Sequence, residues 1–179
     1  MTGEDLRYPI GPFTAPAVVS AAQVATWIDD IAALPAVLQA VVAPLTAAQL
    51  EVPYRPGGWC SRQVIHHLAD SHLNSILRFK WALTEERPTI KTYHEERWAE
   101  LPDYRDYPVD AALVFLAALH RRWVVLLRGL GPEELARDFV HPDSGIVRLD
   151  LNIGIYAWHG RHHLAHITRL VERKGWARP

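Results

Sequence analysis

The stretch YAWHGRHHLAHI, residues 156–167, places four histidines in twelve positions: His159, His162, His163 and His166. It contains two pairs spaced by four, His159 with His163 and His162 with His166. In a helix such a spacing stacks two side chains one turn apart on one face. With His159 as origin, Ile155, Tyr156, His163, His166 and Leu170 fall within about 60° of it at about 100° per residue. Arg161, Thr168 and Glu172 fall on the opposite side, and His162 lies about 60° away, toward Trp158 and Arg169. The pattern predicts a helix from about Asp150 to Lys174, closed by Gly175, with His159 and His163 near the middle of its inward face. His162 is at the edge of that face, and His166 lies deeper along it.

Three more stretches carry a helical period. From Ala21 to about Leu45, Trp27, Ile28, Ile31, Leu34, Val37, Leu38 and Val41 recur at threes and fours. Pro35 inside that run is expected to kink or divide it. After a turn capped by Thr46 and the loop PYRPGGW, a second long helix is expected from Cys60 or Ser61 to about Glu85. A third runs from Asp110 to about Leu130, ended by Gly129 and Gly131. Residues 88–108 read as an irregular crossover with one short helix around EERWAEL, and PDSG as a turn joining two short strands. Four helices, a long crossover and one small β-hairpin define an all-α four-helix bundle, a single domain over 1–179.

Ten histidines and seven tryptophans are the unusual entries in an otherwise ordinary globular composition, 49% hydrophobic and 22% charged. A net charge of −1, with both signs interleaved, offers no field for nucleic acid or anionic lipid, so neither is an expected partner. The apolar run AALVFLAAL at 111–119 is too short to span a bilayer. A single cysteine, Cys60, and a start without a signal-peptide pattern place the chain in the cytoplasm.

Seven of the ten histidines fall in two windows, and the second is VIHHLADSH on the second helix. There His72 falls on the apolar face and reads as a packed core residue. His67 shares a polar strip with Gln63, Asp70, Ser71, Asn74 and Arg78, and pattern alone does not choose between His66 and His67. Two imidazoles one turn apart on an inward face can share an ion, which makes His159 and His163 the better metal-ligand pair. Asp70 is the best-placed acid to orient a ligand imidazole, and His66 and His162 could shuttle protons near the mouth. Cys60 starts a helix, a position that lowers a thiol pKa, but about 10 Å of axial rise separates it from His67. The expected role for Cys60 is capping or packing. Trp27, Trp81 and Trp123 read as core, with Trp59 and Trp158 beside the crevice.

In order and content these segments resemble the DinB-like metal-binding superfamily, and within it the YfiT branch. The resemblance rests on YPIG near the start, PYRPGGW leading into RQVIHHLADSHLNSILRFKWALTEERPTIK, and YAWHGRHHLAHI at the end. It implies a four-helix bundle holding one divalent ion, zinc or nickel, on His67, His159 and His163. His66, Asp70, His162 and His166 are then neighbours of the ligands. It also implies a homodimer, and a metal-dependent hydrolase or a bacillithiol S-transferase. Three neutral imidazoles leave an ion with open positions, as catalytic sites do. Such an ion could activate water or a low-molecular-weight thiol. No carboxylate stands out in the sequence as a general base. The alternative is a non-catalytic metal-binding or stress-response module.

Overall fold

The computed structural model describes residues 5–176. Ser20 opens α1 (Ala21–Val42), its hydroxyl accepting from the Gln23 N–H, and Thr46 opens α2 (Ala47–Leu50) with a reciprocal Gln49 contact. Cys60 precedes α3 (Ser61–Thr84). The crossover carries two short helices, α4 (Glu95–Trp98) and α5 (Pro102–Asp106), before α6 (Val109–Arg128). A small helix α7 (Pro132–Leu135) leads into β1 (Asp138–His141) and β2 (Gly145–Arg148), paired antiparallel across the PDSG turn. The last helix, α8 (Leu149–Lys174), ends at Gly175 with φ +62°, the left-handed cap that glycine adopts at no steric cost.

α1 and α3 each pack on both α6 and α8, so α1 stands diagonally across the bundle from α3. By length and hydropathy α1 is the one described helix that could cross a bilayer, rather than residues 111–119. Its inward residues Trp27, Ile28, Ile31, Leu34 and Leu38 are buried in the bundle core.

Pro35 does not divide α1, which is one helix throughout. A proline cannot donate to the carbonyl four residues back, here that of Ile31. The Ile31 carbonyl instead lies 2.7 Å from Nδ1 of His120 on α6. The donor missing from α1 is thus replaced from the facing helix.

The core is divided. One apolar cluster gathers Trp27, Ile31, Ile76, Phe79, Trp123 and Ile153; the other gathers Leu34, Leu38, Ile65, Leu68, Leu116 and Ile167. Between them on α3, α6 and α8 lie His72, His120, His159 and His163, a polar layer through an otherwise apolar interior. The crossover packs along the first half of α3. Gln63 donates to the Ala99 carbonyl at 3.1 Å, and Tyr104 donates to Asp70 at 2.7 Å. The crossover is tied to the hairpin by the Ile90 N–H on the Val140 carbonyl and the Val140 N–H on the Pro88 carbonyl.

Candidate metal centre

α3 and α8 bring His67, His159 and His163 together, with one ring nitrogen of each lying within 4.8 Å of the others. Nε2 of His67 and Nε2 of His159 are 3.2 Å apart. Two ligands on a tetrahedral ion with bonds of about 2.0–2.1 Å are separated by roughly 3.3 Å, so this pair already has the spacing of a coordination edge. Burial pushes all three imidazoles toward the neutral form, His67 down to about 4 and His159 and His163 well below their ordinary value. Positive charge on neighbouring rings adds to the effect. Neutral imidazole is the form that binds a metal. Nδ1 of His67 is buried without a hydrogen-bond partner, which leaves that ring free to follow its Nε2 contact. Spacing, protonation and donor chemistry all fit a divalent ion.

The surroundings differ from the sequence expectation. Asp70 does not reach a ligand ring; its carboxylate accepts from Tyr104, and burial raises its pKa. His66 also turns away, its ring 5.4 Å from that of Tyr104 and 6.2 Å from that of Tyr107. His66 and Asp70 share a separate cavity of about 320 Å³ on another side of α3. One helical residue, about 100°, separates His66 from His67 and decides which of them enters the bundle. His162 stacks on Trp158 at 4.6 Å, and burial holds its pKa down to about 4.

His166 does meet a ligand: its Nδ1 is 3.4 Å from Nδ1 of His163, and its ring stacks on Tyr54 at 3.9 Å. His72 is no inert core residue. Its Nε2 lies 3.1 Å from Nδ1 of His159, and its Nδ1 lies 2.8 Å from Nε2 of His120. Sequence reading missed His120 altogether, since a lone histidine in AALHRRW carries no spacing signal. Trp59 flanks the site, its ring 4.7 Å from His67 and 6.4 Å from His163. Cys60 is buried, and desolvation raises its thiol pKa, against the lowering expected at a helix start.

An open cavity of about 570 Å³ reaches His163. Arg7 and Arg55 contribute positive charge to its lining, and Glu95, Glu96 and Glu100 of the crossover contribute carboxylates. The sequence did not single out those three acids, because nothing in a crossover period tells which side faces a distant helix.

The chain belongs to the DinB superfamily, whose sequence profile matches residues 21–167. Among its relatives is a protein of Bacillus cereus (strain AH820) named "Putative metal-dependent hydrolase". It is 55% identical over 172 residues, covering 96% of this chain and 99% of the relative. A protein of Bacillus mycoides (strain KBAB4) with the same designation is 54% identical over 173 residues, covering 97% and 99%. The solved structure of YfiT from Bacillus subtilis, described as a probable metal-dependent hydrolase with an unusual four-helix bundle topology, superposes with a TM-score of 0.93. It is 46% identical, over 96% of this chain and 99% of YfiT. The four-helix bundle protein TT2238, 21% identical with a TM-score of 0.56, shares the fold.

Proposed function

We propose that this chain is a metal-dependent enzyme of the cytoplasm. In this reading His67, His159 and His163 hold one divalent ion, zinc or nickel, which the cavity approaches from the His163 side. The observation that carries the reading is the meeting of three neutral imidazoles from two helices, two of them buried and His159 half-buried, with His163 lining an open cavity. The chemistry such an ion supplies is Lewis acidity, lowering the pKa of a water or thiol that joins it.

The chain's own groups fit either nucleophile. Trp59 flanks the site, and crossover residues line the adjoining cavity. Arg7 and Arg55 are placed to bind an anionic substrate group at the rim. A carboxylate from Glu95, Glu96 or Glu100 is the available proton acceptor for a hydrolase. The names of the relatives support water as the nucleophile. A low-molecular-weight thiol such as bacillithiol is favoured by a different observation: among the described residues no carboxylate hydrogen-bonds to any of the three rings. A thiol deprotonated on the ion needs no general base afterwards. The homodimer implied by the family resemblance is part of the same proposal.

Metal-loaded protein mixed with bacillithiol and a haloalkyl electrophile separates the two readings. Conjugate formed faster than in protein-free solution supports the transferase. Ester or amide cleavage without conjugate supports the hydrolase. A protein that binds zinc and nickel but accelerates neither reaction points to the binding module.

A further inference from the structure

Hydrogen bonding to a carbonyl oxygen fixes which nitrogen of an imidazole carries the proton, because the oxygen can only accept. The Ile31 carbonyl, left without its helical donor by Pro35, lies 2.7 Å from Nδ1 of His120. The proton of a neutral His120 is therefore on Nδ1, and its Nε2 is an acceptor. Nδ1 of His72, 2.8 Å away, must then donate, which leaves Nε2 of His72 as an acceptor. Nδ1 of His159, at 3.1 Å, donates in turn, and the bare lone pair of His159 falls on Nε2, the atom that faces His67. A shorter chain runs behind the other α8 ring. The Arg7 carbonyl lies 3.2 Å from Nε2 of His166, so Nδ1 of His166 accepts from Nδ1 of His163 at 3.4 Å.

We infer that His120 and His72 are positioning residues, a relay anchored on the carbonyl freed by Pro35 that presets His159 with its Nε2 lone pair toward the ion; His166 and the Arg7 carbonyl do the same for His163. Both α8 rings are then in their ligand tautomer before any ion arrives. His67 has no such backing, since its Nδ1 is unpartnered. It adapts to the ion, and the other two wait for it. The inference rests on the metal-binding reading above only for its purpose; the tautomers follow from the hydrogen bonds themselves.

Long-range proton–nitrogen correlation spectra of the metal-free protein read the tautomers directly. The relay requires protons on Nδ1 of His120, His72, His159 and His163, and on Nε2 of His166. A His159 protonated on Nε2 in the wild-type protein overturns it. Zinc titration against a chromophoric chelator then compares wild type with His120→Leu, which lies two rings from the ion and touches no ligand. The expected loss of zinc affinity is about tenfold, the size typical of outer hydrogen-bond partners. His120→Gln, which returns an acceptor near the Nε2 position, should recover most of it. A folded His120→Leu that binds zinc as wild type does, with His159 still in one tautomer, also overturns the relay. If His120→Leu does not fold, the wild-type spectrum alone decides. Failure of the metal-binding reading is seen separately, as a wild-type protein that takes up neither zinc nor nickel.

Discussion

Lowering the pH should unfold the metal-free protein over a narrow range, and the histidine layer sets that range. Burial drives the pKa of His67, His120, His162 and His166 from the ordinary 6.5 to about 4, and it holds His72, His159 and His163 well below 6.5 as well. Each is a base whose folded-state pKa lies below its unfolded one. Its contribution is therefore present in full above pH 6.5 and is lost as the pH falls toward the folded value. For His120, only 1% exposed, the fall from 6.5 to about 4 is worth about 3 kcal/mol at about 1.4 kcal/mol per pH unit. The other rings face one another, so their contributions are coupled and do not simply add. Even two independent groups of this size amount to about 6 kcal/mol, a large share of the 5–15 kcal/mol that holds an ordinary domain together. The assay is the urea midpoint of chelator-treated protein measured from pH 8 to pH 4.5. It should be level above about pH 7 and then fall by the equivalent of about 2–3 kcal/mol per pH unit below 6. A midpoint unchanged between pH 7 and pH 5 would show that the unfolded chain binds no more protons than the folded one, and would refute the picture of a neutral buried layer.

Three further outcomes are expected. In His67→Ala, elemental analysis of untagged protein should show bound metal falling from about one ion per chain to near zero, while the apo protein stays folded; full retention removes His67 from the ligand set. Gly154→Ala should destabilise by about 1–3 kcal/mol in urea unfolding despite the better helix propensity of alanine. The added Cβ would stand 2.7 Å from the rigid Trp27 ring, and a stabilised variant would contradict that packing. Cys60 should alkylate slowly in the folded protein and at the rate of a free thiol once unfolded, since burial raises its pKa; rapid native labelling at neutral pH would contradict this.

The helices were legible because each pays its packing into a period that a single sequence displays. The α8 face that placed His159 and His163 inward is a local property, and the structure brings those two rings together as the period predicts. Contacts between helices were less legible. His72 fell on an apolar face and was read as packing, though every nitrogen on its ring is engaged by another histidine. Whether a buried imidazole is packed or bonded depends on the facing helix, and His120 is 48 residues away. Asp70 had the right helical distance from His67 but was drawn to Tyr104, 34 residues along the chain in the crossover. Pro35 was read as a local defect in α1, and its effect appears only where His120 approaches from α6. The resemblance to a family separated His67 from His66, which periodicity could not do.

The segment that precedes α1 touches the candidate site. Arg7 and Tyr8 line the cavity, and the Arg7 carbonyl lies against His166. A polyhistidine tag joined to this end would be tethered a few residues from the cavity, at an effective concentration of order millimolar. Its imidazoles would compete for the positions that a water or thiol must take, raising apparent affinity while suppressing turnover. For this fold, the choice of chain end for a purification handle is itself a perturbation of the site.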